Sequence, residues 1–209
     1  MARWRNLASL KQPASAMSFC VYLTHPQVQI DPGVPVPDWG LSDLGKERAR
    51  NAASMPWAGE IRHVISSAER KAIETAETFA DVFGLSVTPI EAMHENDRSA
   101  TGFLPPDEFE RVADCFFAKP ETSVRGWERA VDAQTRIVGE VRKCLADITD
   151  PEPVLFAGHG GVGTLLKCFL MGTPIDRRHD QLPGGGCWYR FDKTWLQTSG
   201  APSLPWSAI

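Results

Sequence analysis

Two segments of this chain share one design, and together they leave few folds open to it. Phe19–Cys20–Val21–Tyr22–Leu23 is a continuous apolar run that stops at Thr24–His25–Pro26. Val154–Leu155–Phe156–Ala157 is another, and it stops at Gly158–His159–Gly160–Gly161. A short apolar run ended by a breaker reads as a strand buried on both faces, the kind that fills parallel sheets. Pro26 cannot donate to a ladder and holds His25 extended. Each histidine is therefore expected at the carboxyl end of a central strand, where open α/β sheets bind ligands. Two such histidines, far apart in sequence, are placed to face each other across one crevice.

The remaining segments alternate between strand and helix patterns. Ser42 is a helix cap followed by Asp43, and that helix is expected to reach Ala53. Ile61 to Ile65 reads as the next strand, ending at Ser66–Ser67. Ile73, Ala76, Ala80 and Phe83 mark an amphipathic helix stopped by Gly84. Leu85 to Ile90 reads as a third strand. Pro105–Pro106 opens a helix with Phe109, Val112 and Phe116 on one face, and Trp127 to Leu145 carries a longer one. Cys187 to Phe191 and Thr194 to Gln197 read as a hairpin turning at Asp192–Lys193. The expected fold class is α/β, a three-layer α/β/α sandwich over a mostly parallel sheet of about six strands with a C-terminal hairpin. Residues 17–209 form the expected single domain. Residues 1–16, with three basic residues and no acid, read as a disordered extension.

Composition excludes several classes. The net charge of −4 and the lack of a basic, aromatic-interleaved stretch argue against nucleic acid. No apolar run reaches the roughly 18 residues of a membrane span. The five cysteines are scattered without a CxxC, so no metal or disulfide framework is expected, and a reducing, cytoplasmic setting fits. No cofactor is expected. The sequence carries no motif that sets an oligomeric state, and a homodimer is as compatible with it as a monomer.

The order of motifs resembles the histidine phosphatase superfamily, the phosphoglycerate-mutase-like proteins, over roughly residues 18–197. Those proteins carry Arg-His-Gly at the end of the first strand, where this chain has Thr24–His25–Pro26. Their Leu-Ser/Thr-x-x-Gly helix start matches Leu41–Ser42–Asp43–Leu44–Gly45, and their Ser-Ser-x-x-x-Arg-Ala segment matches Ser66 to Ala72 with Lys71 at the arginine. Their late His-Gly matches His159–Gly160. The resemblance implies a metal-independent phosphomonoester hydrolase acting on a small-molecule or protein substrate. His25 would form a phosphohistidine, with Glu95 as general acid and base. His159, Lys71 and Arg70 would supply positive charge, and the amides at Gly160 and Gly161 would bind the anion. Gln27 is a further substrate-binding candidate. Two guanidinium clamps are missing, at Thr24 and Lys71, and lysine binds phosphate only as a point charge. Arg98, three residues beyond Glu95, is read as replacing one of them, with the Thr24 hydroxyl donating to the phosphate. His94 and Asp97 are alternative acids in the same loop.

Three other readings stand beside this one. Gly158 to Gly163 fits G-x-G-x-x-G, a dinucleotide signature, but without the acid expected on a following strand. A fold-mate that binds a phosphorylated ligand without turnover is compatible with the missing arginines. A mutase-type phosphotransferase would need its phosphoenzyme shielded from water, and no long capping insertion is present. Loops 27–40, 91–106 and 176–186 are the expected pocket walls, with Trp39, Met93, Phe103 and Leu104 as apolar candidates.

Overall fold

The computed structural model describes residues 19–209, so the expectation for residues 1–16 lies outside the described residues. Strand β1 (Phe19–Thr24) is followed by α1 (Asp43–Asn51), β2 (His63–Ser67), α2 (Arg70–Phe83), β3 (Val87–Ile90) and α3 (Pro106–Ala118). Then come α4 (Ala130–Ala146), β4 (Val154–Gly158), α5 (Gly160–Met171), β5 (Cys187–Asp192), the single-turn α6 (Trp195–Thr198) and the two-residue β6 (Ser207–Ala208). The sheet order is β3-β2-β4-β1-β5-β6. The first four strands in that order run parallel, while β5 is antiparallel to β1 and β6 to β5.

The alternation of side chains along a strand splits β1 between two cores. Phe19, Val21 and Leu23 face α2, with Trp57, Phe79 and Leu155. Cys20 and Tyr22 face α3, α4 and α5, with Phe116, Trp127, Ile137, Phe156 and Leu166. Burial on both sides is why the two histidine strands read as unbroken apolar runs. Local signals set the helix ends. The Ser42 hydroxyl accepts from the Gly45 amide at 3.1 Å to start α1. Gly84 and Gly172 take left-handed conformations, φ 64° and 63°, to stop α2 and α5, which a glycine does without steric cost.

Several expectations are corrected. The segment after β5 does not return as a hairpin arm. Asp192 accepts from both the amide and the hydroxyl of Thr194, at 2.8 and 2.7 Å, and this turn curls the chain into α6 with Leu196 tucked into the core. The strand that does pair with β5 is Ser207–Ala208. The second strand begins at His63, two residues after the expected Ile61, and ends at Ser66–Ser67 as expected, paired there with Pro89 and Ile90. The buried stripe of α2 keeps the expected Ala76 and Ala80 and adds Ala72 and Phe79, while Ile73 and Phe83 are half-buried at its margin. Finally, α1 stops at Asn51 and β3 starts at Val87.

Candidate active site

β1 and β4 pair in register from Cys20–Val154 to Thr24–Gly158, so the residues that follow them emerge side by side. The His25 amide donates to the Gly158 carbonyl at 2.9 Å, and the rings of His25 and His159 meet edge to face, centroids 5.3 Å apart. His25 Nδ1 lies 2.8 Å from its neighbour's carbonyl, Pro26 O. A carbonyl accepts only, so Nδ1 carries the proton and Nε2 holds a lone pair. Burial, with His159 and Lys71 close by, holds the His25 imidazole down at about 3, so it is neutral at pH 7.

His159 is fully buried and caps α5. Its Nε2 sits 2.8 Å from Ser67 Oγ and 3.5 Å from Glu69 Oε1, while its Nδ1 is buried without a partner among the described residues. Tyr22 fixes it from behind, taking the His159 amide and giving its hydroxyl to the His159 carbonyl, both at 3.2 Å. Burial keeps His159 below its ordinary value against the pull of Glu69 and Glu95.

Glu95 enters from the loop after β3. Its carboxylate oxygens accept from the amides of Gly161 at 3.1 Å and Val162 at 3.0 Å, at the positive end of α5. Burial works to raise it, but His159 and Arg98 outweigh that and hold it below the usual carboxylate range. Glu69, which the sequence reading passed over, is a second carboxylate in the site. It pairs with Lys71 Nζ and accepts the Glu95 amide at 2.8 Å. Burial acts to raise it, and His159 and Lys71 bring it down to about 2.

The substrate-binding candidates separate. Lys71 is buried in the site but committed to Glu69 and to the Val36 carbonyl, 3.0 Å away. Gly160 lies at the start of α5 and lines the cavity beside His25. Arg98 lines it too, stacked 5.1 Å from the Phe109 ring and 5.6 Å from the Trp127 ring. Arg70 is not brought in. Its side chain is 64% exposed and bonded to Glu74, because one residue along a helix is a rotation of about 100°. Gln27 is held instead by Arg48, 2.8 Å from its side-chain oxygen.

Thr24 faces away from His25, as consecutive strand residues must. Its hydroxyl takes the Cys187 amide at 3.0 Å and donates to Gln181 Oε1 at 2.5 Å. That contact corrects the expectation of a direct phosphate donor and exposes a residue the sequence did not mark. The Gln181 amide group is turned onto the start of α5, so close that a Cβ on Gly160 would lie 2.1 Å from its Nε2. His94 and Asp97 lie in the same loop as Glu95, and neither lines the cavity with His25. That cavity, about 350 Å³, is bounded by His25, Glu95, Asn96, Arg98, Gly160 and Gln181 among others. It adjoins one of about 970 Å³ lined by residues 35–39, Glu69, Glu91, 94–99, 102–104 and Phe109 among others. Met93, by contrast, is fully buried in the core. Among the described residues no group of three or more histidine, cysteine, aspartate or glutamate side chains is placed to hold a metal ion.

A family model described as the histidine phosphatase superfamily (branch 1) matches residues 32–193. The match therefore begins after the Thr24–His25–Pro26 segment, where this chain departs furthest from the Arg-His-Gly pattern. Glucosyl-3-phosphoglycerate phosphatase of Mycolicibacterium vanbaalenii is 28% identical, over 86% of this chain and 83% of that protein. Among solved structures, a mycobacterial glucosyl-3-phosphoglycerate phosphatase in complex with inorganic phosphate superposes with a TM-score of 0.70 at 22% identity, covering 91% of this chain and 94% of the other. Phosphoserine phosphatase from Entamoeba histolytica, complexed with 3-phosphoglyceric acid, gives 0.68 at 17% identity over 92% and 98%.

Proposed function

This chain belongs to the histidine phosphatase superfamily, branch 1, and from that premise we propose that it hydrolyses phosphomonoesters through a phosphohistidine on His25. One observation carries the reading. The Nδ1–Pro26 contact of 2.8 Å leaves Nε2 as an unprotonated lone pair beside the second buried histidine. Nε2 bonds to phosphorus as the bond from phosphorus to the alcohol oxygen breaks. The leaving oxygen takes its proton from Glu95. Water then attacks the phosphohistidine, gives a proton back to Glu95 and releases inorganic phosphate. Glu95 is ionised in the resting site, and the arriving phosphate dianion raises its affinity for a proton by like-charge repulsion. His159, Arg98, the Gln181 amide and the Gly160 backbone supply donors to the equatorial oxygens, which is most of what phosphoryl transfer needs.

The substrates are phosphorylated small molecules, in keeping with relatives named for such substrates. A reducing, cytoplasmic setting is supported by five free cysteines, and no helix among the described residues is long and apolar enough to cross a membrane. One observation favours a slower, binding-dominated variant: Lys71 is neutralised by Glu69. The deciding measurement is phosphate release from an aryl phosphate by wild type and His25→Ala, beside orthovanadate binding to both. Turnover confined to the wild type, with vanadate still bound by it, supports the hydrolase. Vanadate binding without turnover in the wild type assigns the binding-only role.

A further inference from the structure

We propose that the phosphomonoester hydrolysed here carries its phosphate on an alcohol with an apolar body and an ammonium group, and not on a carboxylate-bearing alcohol. This rests on the phosphatase reading above and concerns the other half of the substrate. The 350 Å³ cavity beside His25 holds the phosphate, and the alcohol extends into the adjoining 970 Å³ cavity, a volume suited to a drug-sized organic group.

The walls of the larger cavity set its chemistry. Trp39 and Phe103 form an aromatic corner, ring centroids 5.7 Å apart, and Leu104 extends it. Six acidic side chains line the cavity. Three are already committed: Glu69 to Lys71, Glu95 to the α5 amides and Glu110 to Arg177. Asp38, Glu91 and Asp97 have no cationic partner among the described residues. Arg98 is the one lysine or arginine lining it among the described residues. Its stacking on Phe109 and Trp127 places it at the side shared with the small cavity, where the phosphate needs it.

A second observation points to a ligand spanning both spaces. Asn96 is 6% exposed and lines both cavities, and its Nδ2 is buried without a partner among the described residues. A buried amide donor left unmade is costly, and the ester oxygen joining phosphate to alcohol is the acceptor that passes there. The alcohol beyond it meets aromatic faces and three carboxylates that form no ion pair among the described residues, one of them, Asp97, accepting the Ser99 amide. An ammonium group is attracted by both. A carboxylate is repelled by all three acids and finds the Arg98 guanidinium occupied.

The test uses three aryl esters of similar size: 4-(2-aminoethyl)phenyl phosphate, 4-propylphenyl phosphate and 4-(carboxymethyl)phenyl phosphate. Expected kcat/KM falls in that order, by roughly three- to tenfold per step at low salt, the range for partly exposed charge contacts. Added salt compresses the order, and the double substitution Glu91→Gln, Asp97→Asn narrows the gap between the first ester and the last. Cleavage of all three within twofold of one another, or best cleavage of the carboxylate ester, overturns the inference and leaves the phosphatase reading standing. An order that survives the double substitution unchanged overturns the assignment to these acids. No cleavage of any ester sinks the phosphatase reading, and the inference with it.

Discussion

Replacing Arg98 by methionine tests how a site without its usual guanidinium clamp holds phosphate. Arg98 is half-buried, lines both cavities and rests its guanidinium over two aromatic rings, 5.1 and 5.6 Å from their centroids. Methionine keeps the apolar stem against Phe109 and Trp127 and removes only the charge and the donors. Lost ring contacts at this exposure are worth about 0.5–1 kcal/mol each, part of which the thioether restores, so the urea midpoint should fall only slightly. The anion loses a charge-assisted donor worth about 1.5–3 kcal/mol, which is about 10- to 150-fold in affinity. Arg98→Lys keeps the charge without the fork and should fall between. The assay is competitive inhibition by orthovanadate. A further signature is expected in the pH profile. Arg98 is one of the groups holding Glu95 down, after His159, so its loss raises the Glu95 pKa. An unchanged vanadate constant in a folded Arg98→Met protein refutes the reasoning, and Arg98 is then a packing residue.

Three further outcomes are expected. Gly163→Ala places a Cβ 2.4 Å from Tyr22 Cε1 and 3.2 Å from Trp206 Cη2, and such overpacking costs about 1–3 kcal/mol; a urea midpoint matching the wild type would show that the core yields freely there. Stability is also expected to drop as pH falls below about 6.5. His25, held at about 3, and His159, held below its usual value, stay neutral in the fold while the unfolded chain takes up protons, so the contribution is whole above the unfolded pKa and fades toward the folded one. His25→Asn should flatten that slope between pH 7 and 5, and an identical slope counts against the shift. Glu69→Gln breaks the buried pair with Lys71 and is expected to cost about 3 kcal/mol in stability, yet it frees the ammonium and should tighten vanadate binding; weaker vanadate binding would mean that Glu69 positions Lys71 productively.

The parts of this molecule that follow from continuous burial were legible in the sequence. The runs Phe19–Leu23 and Val154–Ala157 are apolar throughout because both faces of β1 and β4 are covered, and this alone put His25 and His159 side by side. Loop position placed Glu95 and Arg98 together for the same reason: the loop leaves the sheet at the same edge. What escaped depends on angles and on pairs remote in sequence. Arg70 and Lys71 are equally basic, and only the phase of α2 turns the first to solvent and the second inward. The Thr24–Gln181 bond joins residues 157 positions apart, a contact that no local pattern encodes. Glu69 lies inside a recognised motif at a position the motif leaves free. The hairpin failed because the short strand-like run Thr194–Gln197 was overridden by the Asp192 turn.

The carboxylate of Glu95 on the Gly161 and Val162 amides has a consequence for how a catalytic cycle ends. Between turnovers the site holds its own anion beside the phosphate donors His159, Arg98, Gln181 and Gly160, so a departing phosphate leaves against a fixed like charge. The two amides keep that carboxylate in place, and like charges at close range disfavour each other, which keeps product from accumulating in the site. Inhibition by inorganic phosphate should therefore be weak, and Glu95→Ala, whatever it does to turnover, should make it stronger. Equal phosphate inhibition in the two proteins would show that the carboxylate and the product do not repel each other.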